Sequence, residues 1–424
     1  MDKNKVSILA AAFSIAAASA LADGGIAVSN VTLSQTANRE IVVTYRLTGA
    51  GSAVVTMDIL TNGVSIGEQN FTSLKGAVNT IVPTSDTATN RIFWTASKDW
   101  PNHKIGDGVT VKVCAWALTN PPDYLVMDLA SGDRRYYTST NALPDGGLAN
   151  DIYKTAKLVM RRIPAGGETF TMGAPYSENN FSGSNLYREY QHTVGFSGDY
   201  YIGIYEFTGG QYESAMGTPW HELNSSSNPS IPAKFPLYTI KRAHIRGSGS
   251  SYWWPEQGHA VASNLLIGTL RSKSGGLEFD LPTEAQWEYA CRAGTTTKFN
   301  HGIEPAPSLK PYAWFASNSD SARHEVGLLI PNAWGLYDMH GNVWEFCLDK
   351  YSLEEGWWYA GFAQGADILD PMGPSGTTQD DESRVIRGGS YNEETSSCRS
   401  AFRGSTGGWG WQHGFRVVCP AVAR

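Results

Sequence analysis

From Ile26 to about Val126 the chain alternates apolar and polar residues with a period of two. Ile41, Val43, Tyr45 and Leu47 interleave with Val42, Thr44 and Arg46; Val55, Met57 and Ile59 interleave with Val54, Thr56 and Asp58. Successive side chains of a strand point to opposite faces, so this pattern predicts half-buried strands. Further strands are expected in RIFWTAS and VTVKVCAWAL, with NG, DG and Ser/Thr/Gly-rich turns between them. About seven short strands in roughly 100 residues without a helix-period stretch predict an all-β, immunoglobulin- or fibronectin-like sandwich over residues 23–130. Cys114 falls within the last strand and reads as a buried structural thiol.

The polar passage over residues 131–153 reads as a linker, and beyond it the pattern changes. The clearest helix lies in DLPTEAQWEYACRAGT. Thr283 can cap its first turn with Gln286 completing a capping box, and Gly294 can end it. Trp287, Ala290 and Cys291 then share one inward face, which makes Cys291 a core residue. Of the 14 tryptophans, 11 lie in this second region, residues 154–424, so its core is expected to be aromatic and loop-rich.

The first 22 residues carry Lys3 and Lys5 ahead of an apolar run from Val6 to about Ala18, then Ala20 and Ala22 before Asp23. That order is a secretory signal peptide, too short and too weakly apolar for a membrane span, and it predicts a secreted, periplasmic or cell-surface protein. A net charge of −7 with a pI near 5.7 and scattered basic residues excludes a nucleic-acid footprint. The five cysteines, Cys114, Cys291, Cys347, Cys398 and Cys419, form no CxxC pair, which excludes a zinc-ribbon framework and leaves at least one thiol unpaired. Nine isolated histidines give no HxH or HxxxH spacing for iron.

Seven motifs follow one another in the second region: KLVMRRIPAGGETFTMGAP, YYIGIYEFTGGQY, LPTEAQWEYACRAGT, NAWGLYDMHGNVWEF, RVIRGGSY, CRSAFR and GFRVV. Together they resemble the formylglycine-generating enzyme, or sulfatase-modifying factor, family over about Lys157 to Cys419. The resemblance implies an α+β, loop-rich domain similar to C-type lectins. It also implies an activity: oxidation of a sulfatase cysteine to formylglycine by molecular oxygen and Cu(I) held between two cysteines five residues apart. Two soft thiolates select Cu(I). Counting from Ser390 of GGSY, the second of those cysteines matches Cys398, while the first position is Glu393. Cys398 and Ser390 are thus the catalytic positions that the resemblance marks, and Cys398 is the single copper ligand left.

Two readings of Cys398 stand open: a reactive thiol in a groove, with Arg399 and Arg403 as local cations, or a small apolar plug. His413 is the histidine available in the same region as a base. The resemblance also implies structural calcium at Gly341, Asn342, Val343 and Glu345, a Gly-Asn turn followed by an acid. The alternative there is a turn with Glu345 paired to an arginine and Trp344 in the core. If the oxidase activity is lost, the rival function is a non-catalytic lectin-like module. Such a module would bind a peptide or glycan in an aromatic groove of Trp357, Trp358, Trp409 and Trp411. The expected partner is accordingly a sulfatase or another exported peptide or glycan.

Overall fold

A computed structural model describes residues 12–13, 18–19, 21–22, 25–36, 38–103, 108–175, 178, 189–223, 231–247, 260–302, 309–351, 368–373, 384–406 and 412–421. The chain divides into two compact units, residues 1–126 with 134–150, and residues 127–133 with 151–424.

In the first unit, the strand Ile41–Thr48 lies between Ile26–Gln35 and Asn90–Trp94, antiparallel to both, and Lys75–Gly76 extends the sheet. The second sheet centres on Ser52–Thr61 against Val109–Ala117, in register from Ala53↔Ala117 to Thr61↔Val109, with Thr80–Pro83 on the other side. Ile41–Thr48 alternates strictly between buried and half-buried, as the period-two pattern requires. Its buried side chains join Val55, Met57, Ile59, Val111, Val113 and Trp94 in one apolar core shared by both sheets. Short strands at Ala12–Phe13 and Leu21–Ala22 pair with Ile26–Gln35, and Ala18–Ser19 pairs with Val109–Ala117.

One expectation is corrected here. Cys114 sits on the opposite side from that core, half-buried, because Val113 and Ala115 take the inward positions of its strand. The region expected to be linker holds a strand, Arg134–Tyr137, and short helical turns at Thr140–Ala142 and Gly147–Ala149.

In the second unit, Lys157–Ile163, Tyr200–Gly203 and Val418–Pro420 form an antiparallel sheet. A second sheet pairs Trp344–Lys350 with Arg384–Arg387 antiparallel and His413–Gly414 parallel, and Gly404–Thr406 lies beyond Arg384–Arg387. The helix Glu284–Arg292 starts where expected: Thr283 Oγ1 accepts from Gln286 N–H, and Gln286 Oε1 accepts from Thr283 N–H. Trp287, Ala290 and Cys291 on its inward face are fully buried. It ends one residue early, at Ala293 in the left-handed region, with Gly294 following at φ 88°.

Candidate functional site

The loop that carries Ser390, Glu393 and Cys398 leaves the sheet at Arg387, whose strand partner is Glu345. Gly388 and Gly389 turn it, both at positive φ. At Gly389 the requirement is double: φ is +76°, and a Cβ would stand 2.6 Å from Cys398 Sγ and 3.1 Å from Cys398 Cα. Only glycine allows that approach. Next, Glu393 N–H closes a turn onto Ser390 O at 3.0 Å, and Cys398 N–H closes another onto Thr395 O at 3.1 Å. Ala316 N–H donates to Glu393 O at 2.9 Å, which ties the loop to the segment around Phe315.

Cys398 is fully buried in an apolar cluster of Phe299, Leu309, Ala313 and Phe315. Burial pushes its thiol well above the ordinary cysteine range, and the negative charge of Glu393 pushes it further. The two arginines that could have lowered it are engaged elsewhere. Arg399 holds Glu189 through both carboxylate oxygens, at 2.7 and 2.9 Å, together with Glu178, and Arg403 holds Glu284 at 2.5 and 2.7 Å. Sequence reasoning also overlooked the histidine that does meet this loop. His340 donates from Nδ1 to Cys398 O at 2.8 Å while its Nε2 accepts from Asn300 N–H at 3.1 Å. That pair of partners fixes the neutral tautomer, and burial holds its pKa down at about 4. His413 lies edge-on to Phe346 instead, its pKa also lowered by burial to about 4.

Glu393 is half-buried, and its Oε1 accepts from the indole N–H of Trp344 at 3.4 Å. Ser390 Oγ is fully buried beside Gln412 Oε1, 2.6 Å away. The position where the resemblance implies a second thiolate is therefore a carboxylate bound to an indole, and the remaining thiol is packed among apolar side chains. These residues do not fit Cu(I): the soft ligand is disfavoured as thiolate by burial, and the position implied for the second is a hard oxygen donor.

The residues marked for calcium are also committed. Glu345 is fully buried, and both its oxygens meet Arg416, at 2.6 and 2.7 Å, while Oε2 also accepts from Trp287 Nε1 at 2.8 Å. Asn342, at φ +65°, donates from Nδ2 to Glu206 Oε2 at 2.7 Å and accepts at Oδ1 from His324 N–H at 2.9 Å. Val343 N–H donates to Glu206 Oε1 at 3.1 Å. Gly341 passes so close to Trp314 that a Cβ would meet Trp314 O at 2.0 Å. A dication here would stand beside the Arg416 guanidinium and would have to displace these bonds, so the side-chain oxygens do not fit calcium as arranged. The alternative reading of this turn, Glu345 on an arginine with Trp344 in the core, describes the observed contacts. Trp357, Trp358, Trp409 and Trp411 lie outside the described residues.

The chain is similar to the formylglycine-generating enzyme of Thermomonospora curvata, 33% identical over 129 residues, covering 28% of this chain and 40% of that one. It is 34% identical over 129 residues to the enzyme of Mus musculus, covering 28% and 32% respectively. The match thus spans less than half the length of these relatives. Among solved structures, Treponema denticola variable protein 1 aligns at 26% identity and a TM-score of 0.46 over 62% of this chain and 96% of that one. The sulfatase-modifying factor enzyme 1-like domain matches residues 154–421, well over half the chain, so the chain belongs to that family.

Proposed function

We propose that this is an exported member of the family whose second unit binds an exported peptide and does not oxidise it. The reading rests above all on the burial of Cys398. A copper-dependent oxidase of this family needs an accessible soft-ligand pair, whereas this thiol fills an apolar cluster and its partner position carries Glu393 held by Trp344. The same exchange supplies a binding feature, a half-buried carboxylate fixed against an indole, suited to a cationic side chain of a peptide. The scaffold we assign to this unit is the lectin-like one that the family resemblance implies, and the first unit is read as an immunoglobulin-like sandwich. Export rests on the leader pattern of residues 1–22; among the described residues no helix is long and apolar enough to cross a membrane.

Competition titration of Cu(I) against a chelator tests the reading. Wild-type protein is expected to hold Cu(I) weakly, and Glu393→Cys to bind it more tightly if its backbone position faces Cys398. Tight binding by the wild type that disappears in Cys398→Ser would overturn the proposal.

A further inference from the structure

The first unit contains a cavity that the family chemistry does not use. It lies in residues 56–142, on the outer face of the strands Ser52–Thr61 and Val109–Ala117, and has a volume of about 230 Å³. Its wall includes Trp116 and Cys114 from one strand, Thr56 and Asp58 from the other, and Tyr137 with Glu68. The strand register sets this up: Cys114 stands opposite Thr56 and Lys112 opposite Asp58. Trp116 is half-buried and gives its indole N–H to Thr56 Oγ1 at 2.8 Å, so its orientation is fixed and the ring offers the cavity an apolar surface.

The polar groups narrow the ligand class. Both oxygens of Glu68 already accept hydrogen bonds, from Thr138 and Ser139 hydroxyls, so it is not a strong anchor for a cation. Asp58 accepts from Ser65 at Oδ1, 2.8 Å away, and its second oxygen remains for a ligand donor. Lys112 is exposed on the rim and supplies a donor for a ligand oxygen. Two carboxylates disfavour an anion, and the polar groups that share the wall with Met57, Phe71 and Leu74 disfavour a pure hydrocarbon. A volume below the roughly 300–1,000 Å³ of drug-sized pockets limits the ligand to about one ring.

We infer that this cavity is a saccharide site, in which one sugar ring lies against Trp116 while its hydroxyls donate to Asp58 and accept from Lys112. A pyranose has an apolar face and an edge that both donates and accepts, which is the combination the wall presents. The site is independent of Cys398 and Glu393.

Cys114 provides the readout, since it lines the cavity and the other four cysteines are buried. The intact protein is alkylated with iodoacetamide while maltotriose, cellotriose or chitotriose is titrated, and Cys114 modification is followed by peptide mass spectrometry. At least one trisaccharide is expected to slow modification saturably by about tenfold or more. Trp116→Ala should abolish that protection. Asp58→Asn, which keeps shape and volume, should weaken the sugar's half-protecting concentration about tenfold with an unchanged circular dichroism spectrum. If none of the three sugars protects Cys114, or if protection survives in both variants, the site is not a saccharide site.

Discussion

The two units are held together by different physics. In the first, the only buried polar side chain among the described residues is Thr56, and the core is aliphatic and aromatic throughout. The second buries Glu284, Glu288, Glu345, Arg246, Arg387, Arg403 and Arg416, tied to one another or to neighbours such as Asp280. Buried apolar area stabilises without regard to direction, so the two-sheet first unit tolerates local change. A buried ion pair gains little over an apolar pair but costs a great deal when halved, so the loop-rich unit depends on complete partnerships. That dependence is how a chain with few long elements holds the Ser390–Cys398 loop in one geometry.

Breaking one partnership should have the largest effect. Arg416→Ala strands the fully buried Glu345 and is expected to cost about 3–5 kcal/mol, read from chemical unfolding of the second unit. The paired replacement Glu345→Leu with Arg416→Met should recover most of that loss. If it does not, the pair contributes more than mutual neutralisation. A smaller loss, about 1–3 kcal/mol, is expected for Gly389→Ala from the clash with Cys398 and the left-handed backbone.

The acid side of the comparison appears in pH. Asp349, which accepts from Glu284 N–H at the start of the helix, is pushed up to about 7 by burial and by the charge of Glu284, and burial pushes Asp338 to about 6. Their ordinary value is near 4. With folded values above the unfolded ones, the folded state holds more protons between pH ~4 and ~7, so these two groups lower stability as pH rises through that window. Asp349→Asn should flatten part of that decline in a melting series from pH 4 to 8, and an unchanged slope would show that the carboxyl is not the source. The smallest expected effect is that of calcium removal: with Glu345 held by Arg416 and Asn342 by Glu206, chelation should leave the unfolding temperature of the second unit unchanged. A drop on chelation, restored by calcium, would show that the loop carbonyls bind the ion despite those bonds.

The same difference explains what could be read in advance. Alternation in Ile41–Leu47 and the Thr283–Gln286 capping box are local signals, so the strands and the helix start were legible. Cys114 was misplaced because a single thiol suits either face of a strand, and only its register against Thr56 decides. The partners in the ion pairs were illegible for a different reason: an arginine for Glu345 was an open alternative, but Arg416 lies 71 residues away, Glu284 meets Arg403 across 119, and these residue types are ordinarily exposed. The change at the site was visible as Glu393 five residues before Cys398, but the burial of that thiol depends on Phe299, Leu309 and Phe315, brought from a distant segment. His340 gave no signal because its partners are backbone groups of Cys398 and Asn300.

The non-catalytic reading is most directly tested by incubating the purified protein with a Cys-x-Pro-x-Arg peptide, oxygen and Cu(I), and following the cysteine by mass spectrometry. A buried thiol beside a carboxylate should leave the peptide cysteine unconverted. Formation of formylglycine by the wild type, lost on Cys398→Ser, would contradict that reading and show that one protein thiol with the substrate's own is sufficient.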